Sequence, residues 1–269
     1  MSNSPSPQPI MAGKRGLIVG VANDRSIAWG IAAVLAEQGA ELAFTYQNES
    51  IERRVKPLAD SVHADIVLQC DVTDYNSLDS VVSQIKDRWG KIDFSLHAVA
   101  YSDKAELKGK YYETSRSNFI NTMDVSCFSF TALAQRLSPL MTDGGSLLTL
   151  SYLGAERSTP NYNVMGVAKA ALEASVRYLA VDLGPNGIRV NALSAGPMRT
   201  LAGSAIADAR YTFRFSKNVA PLGRNAALEE VGRTGLYLLS HLSSGVTGEV
   251  VHVDGGFHSV AIPRPTRQT

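Results

Sequence analysis

The chain has 269 residues, 45% of them hydrophobic and 19% charged, and its formal net charge at pH 7 is +1. This composition excludes a disordered or collagen-like polymer, and the lack of a global basic field argues against a nucleic-acid binder. Cys70 and Cys127 are too few and too far apart for a disulfide scaffold or a zinc ribbon, and the five histidines lack metal-ligand spacing, so no metal site is expected.

In chain order, residues 1–12 open the sequence as an expected disordered tail. Its first nine residues are Ser/Pro-rich, uncharged and without an apolar core, unlike a secretory signal. From 13 to 261, short β-branched runs alternate with longer helical patterns. Strands are expected at 16–19, 41–46, 66–69, 94–99, 146–150, 189–193 and 250–253, and helices at 27–38, 51–60, 77–89, 117–137, 162–183 and 228–239. This alternation predicts a single α/β domain, a doubly wound parallel sheet of about seven strands with helices on both faces. The first strand is nearly all apolar, as a strand buried on both faces should be. Residues 262–269 form a second expected disordered tail. The longest apolar runs, such as 31–36, fall far short of the roughly 20 residues that span a bilayer. No membrane association is therefore expected, and a cytoplasmic location is.

The first strand runs into Gly20-Val21-Ala22-Asn23-Asp24-Arg25-Ser26-Ile27-Ala28-Trp29-Gly30, which is not Gly-x-Gly-x-x-Gly. Gly20 allows a tight turn, Ser26 suits a helix N-cap, and the helix from Ile27 would offer free amides to a pyrophosphate. An ordinary strand–helix turn would read the same way. The position after the first strand of a βαβ unit favours the dinucleotide. The second strand ends in Tyr46-Gln47-Asn48-Glu49, where such folds read the adenosine ribose. Gln47 followed by an acid favours NADH over NADPH, although Arg53 and Arg54 stand nearby. Asp71, after the third strand, could accept from the adenine amino group or simply form a turn. The fourth strand leads into His97-Ala98-Val99-Ala100-Tyr101, the expected cleft lining, with His97 read as a satisfied, partly buried residue and not a catalyst.

The most informative stretch is Ser151-Tyr152-Leu153-Gly154-Ala155-Glu156-Arg157-Ser158-Thr159-Pro160-Asn161-Tyr162-Asn163-Val164-Met165-Gly166-Val167-Ala168-Lys169. Seven helical residues turn through about 700° and rise about 10.5 Å. If Pro160 opens a helix, Tyr162 and Lys169 share one of its faces. A phenol donates a proton and partners an oxyanion, while an ammonium binds hydroxyls and favours the phenol's ionisation. Further on, Leu201-Ala202-Gly203-Ser204-Ala205-Ile206-Ala207 is small and apolar, with a glycine permitting hinge motion. It reads either as a mobile cover, part of a lid around 199–217, or as a plain surface helix.

These segments together resemble the short-chain dehydrogenase/reductases, and within them the enoyl-(acyl-carrier-protein) reductases of bacterial type II fatty acid synthesis. The resemblance rests on 20–30, 41–48, 66–72, 146–170, 189–201 and 248–257, and is most specific in 150–157, 161–169 and Ser194-Ala195-Gly196-Pro197-Met198-Arg199-Thr200. Ordinary ketone reductases of the superfamily use Tyr-x-x-x-Lys with a serine about thirteen residues earlier. Here Met165 stands four before Lys169, and Tyr152 stands thirteen before that. Both positions fail for carbonyl reduction, whereas Tyr162 and Tyr152 fit enoyl reduction. A 3-ketoacyl or other carbonyl reductase, or a non-catalytic dinucleotide-binding protein, are the alternatives.

The resemblance implies a Rossmann-type fold and hydride transfer from NADH to the β-carbon of a trans-2-enoyl thioester. Tyr162 would hydrogen-bond the developing enolate, Lys169 would hold the nicotinamide ribose, and Tyr152 would donate a proton or position substrate. It also implies Gly20, Ser26 and Ile27 at the pyrophosphate, Gln47 on the adenosine side, and Asp71 with Val72 at the adenine. Val99 would lie beside the nicotinamide, Met198, Arg199, Thr200, Leu201 and Ala202 over nicotinamide and phosphates, and Ser102 against substrate. Ala98-Val99-Ala100 departs from relatives that carry glycine in the third place, which narrows the cleft. Five basic residues, Arg199, Arg210, Arg214, Lys217 and Arg224, accompany one acid, Asp208. They either dock the acidic acyl carrier protein or form a solvated face. The family expectation is a homotetramer built through the helices near 117–137 and 162–183 and the C-terminal segment.

Overall fold

A computed structural model describes residues 9–200 and 208–263. Seven strands, β1 (Arg15–Val19), β2 (Glu41–Tyr46), β3 (Ile66–Gln69), β4 (Phe94–His97), β5 (Gly145–Ser151), β6 (Ile188–Ala195) and β7 (Val250–Val253), form one sheet. All neighbours run parallel, in the order β3-β2-β1-β4-β5-β6-β7. The expected doubly wound α/β architecture is present.

Side chains alternating along the central strands feed two separate cores. Leu17 and Val19 of β1 face one side, packed with α3 (Tyr75–Trp89), α5 (Ser129–Leu137) and α6 (Asn163–Leu183). Ile18 faces the other, with α1 (Ile27–Glu37), α2 (Glu49–Ser61) and α8 (Leu228–Leu239). Helices α1 and α8 lie so close that a Cβ on Gly232 would sit 2.5 Å from the Gly30 carbonyl oxygen. The remaining helices are α4 (Arg116–Met123) and α7 (Ala209–Val219). Asn48, Asp74 and Ser115 cap α2, α3 and α4 with their side chains.

Three boundaries depart from the sequence expectation. The packed chain begins before Gly13, because Met11 is buried and its amide bonds the Gln38 carbonyl. The 117–137 helix is split by a π-helical turn at Asp124–Phe128, in which Ser126 Oγ accepts from the Tyr101 amide and donates to the Tyr101 carbonyl. Such π-turns are common beside functional sites. Strand β4 ends at His97, not at residue 99. The first eight residues, 201–207 and 264–269 lie outside the described residues, and with them most of both expected tails and the Leu201 and Ala202 positions.

Candidate active site

The strand order reverses at β1, with β2 on one side and β4 on the other, and ligands of such sheets bind at the carboxyl ends beside that switch point. Gly20 leaves β1 there at φ +107°, and a Cβ would fall 2.3 Å from the Ala98 carbonyl oxygen. Only glycine satisfies both demands. Asn23 and Ser26 then close the turn, Asn23 Oδ1 accepting from the Arg25 amide and Ser26 Oγ donating 2.6 Å to the Asn23 carbonyl. Ser26 is the N-cap of α1 by position but not by hydrogen bond. Among the described residues no side chain caps the helix and its first turn holds no acid, so its amide end is suited to an anion in the crevice. These residues fit a dinucleotide pyrophosphate.

On the adenosine side, Asp71 Oδ1 accepts from the Thr73 amide (2.9 Å) and hydroxyl (2.7 Å), which together hold the carboxyl below its ordinary range. Its Oδ2 faces Gln47 Nε2 at 3.5 Å. The turn role of Asp71 is therefore realised on one oxygen, while the other points toward Gln47, where an adenosine donor is expected. Val72 is buried, Val99 half-buried against the α5 side of the core, and Met198 packs against the opposite core. Arg199 lies over the Phe213 ring, 5.0 Å from its centroid.

The reactive groups gather where β5 meets α6. Tyr162 is not on the helix but is its N-cap, between Asn161 (φ +58°) and Asn163 (φ +38°), both in the left-handed region that asparagine tolerates. It meets Tyr152 edge-on, with centroids 5.0 Å apart and planes at 67°. Gly154 makes this possible, since a Cβ there would lie 2.4 Å from Tyr162 Cδ1 and 3.2 Å from Tyr152 Cδ1. Lys169 is buried and donates from Nζ to the Leu150 carbonyl at 2.7 Å, with two N–H groups left for other acceptors. Met165 is buried beside Tyr162, Leu107 and Tyr152, and its thioether carries no proton to give.

Electrostatics differ from the sequence expectation. Burial pushes the Tyr162 phenol far up, with Tyr152 and Glu173 adding to the effect, opposite to the direction expected from a neighbouring Lys169 ammonium. Burial also raises Tyr152, opposed by the Thr159 hydroxyl. Burial lowers Lys169 to about 8, with Cys127 and Glu173 opposing it. The phenols are thus neutral donors at physiological pH.

The Ser102 side chain is engaged internally: its buried hydroxyl accepts from Thr122 Oγ1 (2.8 Å) and Asn118 Nδ2 (3.2 Å), which ties down the loop after β4. His97 is satisfied as read but buried more completely than expected, with Nδ1 3.0 Å from Thr149 Oγ1 and Nε2 2.9 Å from Ser129 Oγ. Missed by the sequence reading are Glu173, whose signal was an acid four residues after an inward lysine, and Ser126, which carries no sequence signal. The loop between the tyrosines is braced from the far end of the chain. His252 Nε2 meets Glu156 Oε1 at 2.8 Å and stacks on His258 at 4.1 Å, His258 Nδ1 bonds Asp254 at 3.0 Å, and Arg157 donates to the carbonyls of His258 and Val260.

A family model described as Enoyl-(Acyl carrier protein) reductase matches residues 20–258. An enoyl-(acyl-carrier-protein) reductase (NADH) 1 of Rhizobium meliloti is 61% identical over 253 residues, covering 94% of this chain and 93% of that protein. The crystal structure of the enoyl-(acyl-carrier-protein) reductase of Anaplasma phagocytophilum in complex with NAD superposes with a TM-score of 0.92 at 53% identity, covering 97% of each chain. That of FabI from Candidatus Liberibacter asiaticus gives 0.93 at 55%, covering 95% of this chain and 99% of the other. The uncapped helix at the sheet's switch point and the Tyr152, Tyr162 and Lys169 cluster therefore stand in a chain that belongs to the enoyl-(acyl carrier protein) reductase family.

Proposed function

We propose that the protein is an NADH-dependent enoyl-(acyl-carrier-protein) reductase, which saturates the trans-2 double bond of enoyl thioesters. The observation that carries this is the pairing of two neutral phenols, Tyr152 and Tyr162, beside buried Lys169, with Met165 where a carbonyl reductase would need its proton donor. When bound, NADH supplies the hydride that ends on the substrate β-carbon. Gly20, Ser26 and Ile27 would hold the pyrophosphate end, Gln47, Asp71 and Val72 the adenosine, and Val99 with Met198, Arg199 and Thr200 the nicotinamide side. Lys169, already anchored on Leu150, uses its remaining N–H groups on the ribose hydroxyls. Tyr162 donates a hydrogen bond to the thioester oxygen as enolate charge grows on it. Because burial keeps the phenol protonated, that bond strengthens through the transition state, which is where binding accelerates a reaction. Tyr152, edge-on to Tyr162, confines the same oxygen.

The test follows NADH absorbance with a trans-2-enoyl thioester and then with a 3-ketoacyl thioester. Oxidation with the first alone is expected; oxidation with only the second would identify a carbonyl reductase instead. Tyr162→Phe should lower kcat about 10²–10³-fold, with NADH affinity nearly intact. A homotetramer belongs to the same proposal, supported by large apolar side chains exposed on α4 (Phe119, Ile120), the π-turn (Phe128) and α6 (Tyr178, Val181). A cytoplasmic location follows from the intracellular supply of NADH and carrier-protein thioesters.

A further inference from the structure

Glu173 sits four residues after Lys169 on α6, so both side chains leave the helix on one face. It is 7% exposed. Burying a carboxylate is costly unless other groups compensate, yet among the described residues Glu173 makes no salt bridge. Its Oε1 accepts one short hydrogen bond, from Ser151 Oγ. Ser151 is itself buried and immediately precedes Tyr152. One residue earlier, the Leu150 carbonyl receives Lys169 Nζ.

Two consecutive residues of β5 are therefore tied to two residues one turn apart on α6. With both ties made, the end of β5 can neither slide along α6 nor rotate against it. Tyr152 leaves that end in extended backbone (φ −151°, ψ 150°) and reaches Tyr162 edge-on. A carboxylate only accepts, so it also fixes the direction in which the Ser151 hydroxyl points. We propose that Glu173 and Ser151 are a positioning pair for enoyl reduction, setting the exit of β5 so that Tyr152 stands in register with Tyr162 and Lys169. The pair rests on the assignment of that reaction to these three side chains.

The charges around Glu173 are consistent with this role. Lys169 and Arg177 lie on its own helix, Glu156 on the loop after β5, His252 on β7, and Tyr162 at the helix start. Burial raises Glu173, the Ser151 bond opposes this, Glu156 adds to it, and His252 and Arg177 lower it. The Glu173 anion in turn helps Lys169 keep its proton.

Steady-state kinetics with a trans-2-enoyl thioester test the pair. Ser151→Ala and Glu173→Ala should each lower kcat/KM roughly tenfold or more, with NADH affinity changed less than about twofold. In a Tyr152→Phe background the same changes should cost less than about twofold, because the group being positioned is already gone. Glu173→Gln still accepts from Ser151 and should recover most of the Glu173→Ala loss, while the alkaline limb of its kcat profile moves to lower pH. Equal losses in both backgrounds, or wild-type kinetics in all three variants, overturn the proposal. Should Glu173→Ala fail to fold, Ser151→Ala and Glu173→Gln decide alone. A wild-type enzyme that does not oxidise NADH with the enoyl thioester refutes the reaction assignment; an active wild type with unaffected variants refutes only the pair.

Discussion

Glycine at 154 decides the geometry of the two tyrosines. A methyl group there would overlap the Tyr162 ring at 2.4 Å, and the opposite side is closed too, since a Cβ on Gly166 would lie 2.7 Å from the Gly154 carbonyl oxygen. Gly154→Ala should therefore cut kcat/KM at least roughly tenfold by turning the Tyr162 ring, while NADH binding, which draws on the pyrophosphate and adenosine residues at the far end of the crevice, stays near wild type. Loss of NADH affinity and turnover in proportion would contradict this. The candidate reactive residues could be picked out in the sequence, because the displaced tyrosine and the methionine at 165 carry chemistry in their side chains alone. Their placement could not. Helical periodicity put Tyr162 on α6, whereas two left-handed asparagines set it at the helix cap, and sequence spacing does not report φ. The hydroxyl of Ser102 illustrates the same limit: its internal partners, Asn118 and Thr122, leave no trace in the sequence.

At the level of elements, α7 offers a basic stripe beside an aromatic one. Of the five basic residues in this region, Arg224 is held by both oxygens of Glu230 at 2.7 Å and Arg199 lies over Phe213. Arg210, Arg214 and Lys217 are exposed, spaced to share one face, and next to the stacked pair Tyr211 and Phe215. An acidic carrier protein would be drawn to that face, and reversing Arg210 and Arg214 to Glu should weaken carrier-protein substrates more than coenzyme A substrates, most clearly at low salt. Equal weakening of both would remove α7 from the docking surface. Strands and long helices were legible within a few residues because burial imposes their period. The π-turn was not; the partner that Ser126 bonds from within it, Tyr101, lies twenty-five residues earlier in the chain.

For the whole molecule, the alternation of strands and helices announced a doubly wound sheet but not which strands lie side by side, since a residue buried on either face reads alike. The order becomes visible in cross-strand ties such as His97, paired in register with Val19 and Thr149. Burial, then the Lys169 charge, lowers His97 to about 3 from an ordinary 6.5. The native protein thus refuses a proton that the unfolded chain accepts. The stabilisation is full above pH 6.5 and is lost as pH falls toward 3, at up to about 1.4 kcal/mol per unit. Thermal melts from pH 7 to 4 should fall less steeply for His97→Gln than for wild type; identical slopes would show that carboxylates alone set the acid limit.

The brace from Glu156 and Arg157 to His252, His258 and Val260 also bears on the enzyme's birth. Synthesis proceeds from the N-terminus, and the sheet can begin to assemble while the chain is still growing. The loop between the tyrosines, however, is fastened to residues made about a hundred positions later. A nascent chain stalled before His252 can hold most of its core and still lack the strut of its reactive loop. The reactive loop therefore gains its last supports only when translation is nearly complete.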